Sequence, residues 1–310
     1  MAEFRPGTPE QDEFMAELLG EGLLIESGVA GVLGRGEEFE RVLRAFDERV
    51  GEAAADDRAE RLSFPPLLPR RQLEQVGYLK SFPHLAGSVF GFEGDEREAA
   101  EQAERAGRQE DWSGSQRMTD LVLTPAACYP VYPAIAARGP LDAEGITVDV
   151  GSACVFRHEP SGDPARMQSF RMRELIRIAA PEVVTEWRDA WRDRSLELLR
   201  AIGLEVDFDV ASDPFFGRSG RLLARSQRAQ ELKFEVLAPI AGEEPTAIAS
   251  FNYHQDHFSE TFGIEAVGDG AIHTACLGFG MERVVLALLR CHGLRPAEWP
   301  SEVREELRLR

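Results

Sequence analysis

Glu174 stands where a carboxylate is hard to accommodate. Around it, Phe170, Met172, Glu174, Ile176 and Ile178 alternate with Arg171, Arg173, Leu175 and Arg177. Period-two alternation places each set on one face of a strand, so Glu174 falls in an otherwise apolar row. Burial there is unfavourable unless the carboxylate is protonated, hydrogen-bonded, ion-paired or bound to a metal. Two cysteines bear on the last option. Cys128 and Cys276 read as lying at strand-to-turn transitions flanked by small residues, and with Glu174 they could make a three-ligand zinc site. Three protein ligands leave one position open, which is the catalytic arrangement. Their spacing is long and irregular, so the plainer reading, that each cysteine is a small core residue, stays open. Cys154 and Cys291 read as core residues. His158 and His254 are alternative ligands whose neighbours predict loop or strand surface.

A second set of residues suits a phosphate-bearing ligand. Residues 151–178 read as strand, loop, strand. Arg157 and Glu159 share one face of the strand leading in, and Phe170 lies on the strand leading out. A guanidinium suits a phosphate and an aromatic ring suits a base. Arg283 opens the last long apolar helix, and two arginines can bracket a polyphosphate. The preceding GFGMER is too short a glycine pattern to define a site, and the chain has no P-loop. By pattern alone Arg283 reads as a surface arginine at a helix N-terminus, and the hairpin as half-exposed and salt-bridged. Arg218, Arg221, Arg225 and Arg228 recur at helical spacing, on one helix face. In a chain of net charge −19 such a stripe is a local exception that would steer an acidic or phosphate-bearing partner. The plainer reading is a solvated face paired with nearby acids.

These residues need elements to position them. The chain has 310 residues, 43% hydrophobic and 29% charged, so a packed core is expected. Its negative balance argues against broad non-specific nucleic-acid binding and leaves room for a local basic groove. Four cysteines without a CxxC pair predict no disulfide framework. The N-terminal MAEFRPGTPEQDEF lacks a signal-type apolar region, and no apolar run approaches the roughly 18 residues that span a bilayer, so a cytoplasmic protein is expected. Phe39, Val42, Leu43, Phe46 and Val50 predict a helix over 37–50. A helix is predicted over about 70–78, a strand at 88–92 and a charged, helix-prone surface segment at 93–118. Residues 121–136 begin as a buried strand that breaks at prolines 125, 130 and 133, and 146–156 are β-rich. A helix over 181–202 starts at a proline. A strand, a helix over 218–231, the strands KFEVLAPI and TAIASFNYH, and HTACLGFG entering a buried helix complete the order. An α+β fold, a mostly antiparallel sheet with flanking helices, fits it best. Residues 1–60 read as an N-terminal helical extension packed on the core, and 61–310 as a catalytic domain.

Taken together, the motifs resemble a class II aminoacyl-tRNA synthetase core. LEQVGYLKSFPHLAGSVFGF is similar to its first, dimer-forming motif. VFRHEP followed by FRMREL is similar to the second, and GFGMERVVLALL to the third. Within that class, YLKSFPHLAG and SFNYHQDHF most resemble the amino acid:carrier protein ligases, relatives of the zinc-dependent seryl-tRNA synthetases of methanogens. The resemblance implies a class II synthetase-like sheet of six or seven antiparallel strands flanked by helices, in a homodimer. It implies that Cys128, Glu174 and Cys276 hold Zn2+, one ligand from each motif region, and that this ion binds the amino group of a small amino acid, glycine or alanine. The amino acid carboxylate then attacks the α-phosphorus of ATP, which is accompanied by Mg2+. Arg157 is implied on the α-phosphate. Arg283 is implied on the γ-phosphate and over an adenine stacked on Phe170, with Glu159 reading the adenine edge or the amino group. Glu235, Ser250 and Asn252 match positions that line the amino acid and Mg2+ site. The chain departs from the seryl-type pattern at Ala247-Ile248-Ala249, where a metal-binding glutamate often stands.

Transfer RNA-charging relatives carry a large N-terminal tRNA-binding domain, whereas the residues before the first motif here are few and not basic. The expected acceptor is therefore the phosphopantetheine thiol of a carrier protein and not tRNA, with Arg218, Arg221, Arg225 and Arg228 as its dock. The rivals are a tRNA-charging seryl-type synthetase and a non-catalytic, synthetase-like regulatory subunit. Such subunits commonly lose the arginines of the second and third motifs, and this chain keeps Arg157, Glu159, Phe170 and Arg283.

Overall fold

The computed structural model describes residues 4–213, 217–242 and 244–309, with backbone alone at 217–220 and 223. Thr8 opens helix α1 (Pro9–Gly20). Its hydroxyl accepts from the Gln11 N–H, the Gln11 side chain returns a bond to the Thr8 N–H, and Pro9 sits where a helix has no use for an N–H. A hairpin of β1 (Leu24–Val29) and β2 (Val32–Arg35) follows. Helix α2 (Glu37–Ala53) then buries Phe39, Val42, Leu43, Phe46 and Val50, as their spacing predicts. Strands β3 (Glu60–Leu62) and β4 (Leu67–Pro69) lead into α3 (Arg70–Gln75). The predicted run to Tyr78 stops early, because Gly77 takes a left-handed φ of 68° and a separate turn of helix, α4 (Tyr78–Ser81), begins after it.

Strand β5 (Ser88–Phe92), the exposed helix α5 (Glu96–Gly107) and β6 (Gln116–Leu123) come next. The proline-broken stretch after β6 contains a helix the sequence does not announce, α6 (Val131–Ala136); Pro133 lies in its first turn, where it displaces no helical bond. Strands β7 (Ile146–Phe156) and β8 (Ser169–Ala179) are the expected strand–loop–strand. Helix α7 (Pro181–Ala201), β9 (Asp207–Val210), α8 (Gly217–Ala229), β10 (Lys233–Ala238), β11 (Thr246–Gln255) and α9 (His257–Phe262) follow. Strand β12 (His273–Gly280), α10 (Met281–His292) and α11 (Ser301–Glu306) close the order.

Seven strands form the central sheet in the order β3-β7-β8-β12-β11-β10-β9. Among the described residues only its β3–β7 pairing is parallel, so the α+β expectation of an antiparallel sheet with flanking helices holds. One face packs on α2, α7 and α10, through Leu175, Phe251, Leu277 and Phe279, and the Phe46 ring meets Phe279 edge-on at 5.4 Å. The other face carries Val148, Val150, Ile176 and Cys276 into a cluster with Leu73, Tyr78, Cys128 and Tyr132. A smaller sheet, β4-β6-β5, flanks that cluster and leaves Phe90, Phe92, Met118 and Leu121 exposed.

The two cysteines read as core residues are exposed instead. Cys154 pairs with Arg171 past the register shift in β7, so the alternation that would bury it is interrupted. Cys291 lies beside Arg290 in the last turn of α10, its Sγ 3.4 Å from the Gly203 carbonyl. Among the described residues, no helix is long and apolar enough to cross a membrane.

Candidate active site

Residues paired across an antiparallel ladder point to the same side. The ladder therefore sets Lys233, Asn252, Cys276 and Ile176 in one row, and Glu235, Ser250, Gly278 and Glu174 in the next. Cys276 thus lies within β12 and not at the strand-to-turn transition expected for it, whereas Cys128 does lie in the turn between β6 and α6. Ligand atoms of Cys128, Glu174 and Cys276, all buried, lie within 4.8 Å of one another. His158 is engaged elsewhere, with Gln168. His254 flanks the group, its Nε2 3.6 Å from the Cys276 Sγ and its Nδ1 3.2 Å from the Thr274 hydroxyl.

The donor set of this group suits a cation. Burial raises the Glu174 carboxyl to about 8. The hydrogen bond between the thiols holds Cys276 well below the ordinary thiol range and pushes Cys128 well above it. Glu174 Oε1 accepts from the Ala127 N–H at 3.0 Å, while the buried Oε2 has no hydrogen-bond partner. An orphaned carboxylate oxygen beside two thiols fits Zn2+, which takes sulfur and oxygen ligands together, better than Mg2+ or Ca2+. The Asn252 Nδ2 donates to the Ser250 hydroxyl at 3.4 Å and to the Cys276 Sγ at 3.6 Å. Such outer bonds orient a ligand. Gly278 keeps the floor low, since a Cβ there would lie 3.1 Å from Met172 Cε and 3.3 Å from Glu174 Cγ.

Lys233 is a site residue that motif reading misses, and its signal is a lysine opening the strand KFEVLA two residues before Glu235. It is 7% exposed, and its Nζ lies 2.6 Å from Asp213 and 2.9 Å from Glu235. Burial opposes charge on Asp213, but Lys233 beside it more than offsets this and keeps the carboxyl below its usual range. Gln227 of α8 donates to the other Asp213 oxygen at 2.8 Å, which ties that helix to the site. On α8, Arg221, Arg225 and Arg228 are exposed, and Arg228 lies 3.9 Å from Asp209. The Arg218 side chain lies outside the described residues.

The predicted nucleotide residues also converge. The Arg157 guanidinium carbon lies 5.5 Å from the Phe170 ring centroid, and its Nε donates to the Pro125 carbonyl at 3.0 Å. Arg283 is not the surface arginine that its pattern predicts. It is half-buried, with Nε donating to the Ala165 carbonyl at 2.8 Å and Nη1 to the Ala247 carbonyl at 2.9 Å. Withdrawal from water, then the charges of Arg166 and Arg157, lower its guanidinium to about 10. Three cations with mutual repulsion make a place for a polyanion. Phe170, Ala165, Gly280, Glu282, Arg283 and Leu286 line a small pocket of about 10 Å³, which must widen to take a base. Glu159 lies 3.9 Å from Arg166.

A second group missed by sequence reading holds this region together. Glu282 accepts from the backbone N–H of Arg171 at 2.7 Å and from its Nε at 2.9 Å, and Glu40 of α2 takes the two remaining Arg171 nitrogens.

No protein-family model matches the sequence. Two curated proteins of Bradyrhizobium diazoefficiens are similar along nearly all of it. Amino acid–acyl-carrier-protein ligase 1 is 44% identical over 308 residues, covering 98% of this chain and 93% of that protein. Amino acid–acyl-carrier-protein ligase 2 is 46% identical over 296 residues, covering 94% and 87%. Among solved structures, the seryl-tRNA synthetase of Methanopyrus kandleri, in complex with a tRNASec of A. aeolicus, superposes with a TM-score of 0.81 at 22% identity. That likeness covers 95% of this chain and 60% of the synthetase chain, and it establishes a class II synthetase fold.

Proposed function

Because this chain belongs to the family of amino acid–acyl-carrier-protein ligases, we propose that it activates a small amino acid, glycine or alanine, with ATP and passes the aminoacyl group to the phosphopantetheine thiol of a carrier protein. The observation that carries the reading is the convergence of Cys128, Glu174 and Cys276 on the sheet face that also presents Phe170. Zn2+ held by those three residues would supply a Lewis-acid position for the substrate amino group. Asn252 and Ser250 lie beside it and orient the amino acid. Gly278 lowers the floor beneath it, and Lys233 and Glu235 of β10 close the far ends of the two rows.

ATP enters with its Mg2+ beside Phe170, on which the adenine stacks. Glu159 accepts from the adenine amino group. Arg283 exchanges the Ala165 and Ala247 carbonyls for the γ-phosphate. As the carboxylate oxygen bonds to the α-phosphorus and the bond to pyrophosphate breaks, negative charge builds on the α-phosphate oxygens. Arg157 is the group that meets it. The carrier thiol, losing its proton, then attacks the aminoacyl carbonyl and AMP leaves.

The protein acts in the cytoplasm as a homodimer. The exposed Phe90, Phe92, Met118 and Leu121 of the β4-β6-β5 sheet are the surface a second copy would cover, and Phe90 and Met118 are ladder partners there.

An ATP–pyrophosphate exchange screen over the twenty amino acids tests the reading. Exchange is expected with glycine or alanine, to fall on chelation and to return with Zn2+. Exchange only with bulky amino acids, or charging of tRNA in place of a carrier protein, would refute it. For the dock, the double substitution Arg221→Glu and Arg225→Glu is expected to slow transfer to the carrier roughly tenfold while sparing exchange, because interface charges act on association. Equal loss in both assays would remove α8 from the partner surface.

A further inference from the structure

The loop joining β7 to β8, residues 157–168, is gripped from both sides. On the inner side its Ala165 carbonyl accepts from Arg283. On the outer side it bonds to two stretches that precede α2. The Arg5 N–H donates to the Pro160 carbonyl at 3.1 Å, and the Gly162 N–H donates back to the Arg5 carbonyl at 2.9 Å. The turn between β1 and β2 supplies the second grip. The Gln168 N–H donates to the Gly31 carbonyl at 2.7 Å, and the Gln168 side-chain amide donates to the Ala30 carbonyl at 2.8 Å. Gly31 is left-handed, with φ 73°, and a Cβ there would lie 3.2 Å from Gln168 Cγ and 3.3 Å from the Arg166 carbonyl. The turn is therefore seated directly against the end of the loop.

Gln168 joins that turn to the site. Its carbonyl accepts from the Arg157 N–H at 2.8 Å, and its side-chain oxygen accepts from His158 Nδ1 at 3.0 Å. The residue is 5% exposed, and its backbone N–H, backbone carbonyl, amide oxygen and amide nitrogen all have partners. Two of these face the hairpin turn, and two face Arg157 and His158. A buried amide satisfied this way fixes the relative position of the segments it bonds, because losing one partner strands another polar group.

We propose that Gln168 is a positioning residue for nucleotide binding: it passes the placement of the β1–β2 turn to Arg157, so that the segment before α2 sets how that arginine meets the phosphates. The proposal rests on the adenylate-forming reading of the same site. Misplacing a binding group by about an ångström can cost on the order of a hundredfold in rate, so a remote hairpin has leverage here.

Gln168→Met keeps the volume and removes the side-chain bonds. The kcat for pyrophosphate exchange is expected to fall roughly tenfold and the KM for ATP to rise, while the KM for the amino acid stays within about twofold. Gly31→Ala pushes on the same contact from the hairpin and should give the same split. Gln168→Glu keeps an acceptor for His158 but loses the donor towards Ala30, and should fall between. Calorimetric titration with ATP alone should show the same weakening. A lowered melting temperature with ATP binding unchanged, or an equal rise in both KM values, would overturn the proposal. If Gln168→Met does not fold, the other two variants carry the test. A wild-type protein that exchanges pyrophosphate with no amino acid would refute the functional reading, whereas the ATP titration would still decide the role of Gln168.

Discussion

Replacing Cys276 by serine is expected to remove bound zinc and to lower pyrophosphate exchange by on the order of a thousandfold. The effect is large because three ligands leave nothing in reserve. A serine hydroxyl stays protonated and binds zinc poorly, so only Cys128 and Glu174 remain. Glu174 has one bond, from the Ala127 N–H, and its second oxygen has no partner to fall back on. The fold should survive the change, because serine is nearly the size of cysteine and the β12 ladder bonds are backbone bonds. Metal analysis, exchange and a thermal melt on the same preparation separate the two outcomes. Full exchange in a Cys276→Ser protein that holds no zinc would show that the triad is not the amino-group site.

Arg157→Ala is expected to lower kcat for exchange by roughly a hundred- to a thousandfold, the range seen when one donor to a developing negative charge is removed. Zinc content should stay at the wild-type level, because Arg157 does not belong to the triad. Arg157→Lys should recover little. A lysine presents a point charge and cannot both lie against Phe170 and keep a fork of donors for phosphate oxygens. Single-turnover adenylate formation is the measurement. An unchanged rate constant with only a raised KM would make Arg157 a binding group that does not act in the transition state.

Much of this architecture is legible in the sequence because it is local. The alternation through β8 fixes which residues share a face and exposes one carboxylate out of place, which only the family resemblance joins to both cysteines. The helical spacing of Phe39, Val42, Leu43, Phe46 and Val50 marks α2. What escapes is supplied by remote chain. The direction in which Arg283 points depends on carbonyls at Ala165 and Ala247. Arg171 reads as an outward strand residue until Glu40 and Glu282 are seen around it. Nothing in KFEVLAPI announces that Lys233 meets Asp213 as well as Glu235. Helix α6 hides behind its prolines, since a proline is a stop signal only after the first turn. The early end of α3 is readable at Gly77, which the apolar spacing outweighs.

Helix α2 has a consequence for how the chain comes off the ribosome. Its Phe46 packs against Phe279, and its Arg49 pairs with Glu306, which lies 257 residues later. The apolar stripe of α2 shares its cluster with Phe14, Leu18 and Leu24, and its cover stays incomplete until Phe279 and the rest of α10 have been synthesised. Contacts this distant in the chain delay folding and leave apolar surface open to association in the meantime. The nascent chain must therefore keep this helix soluble throughout translation, by its own acidic outer face or in the hands of a chaperone.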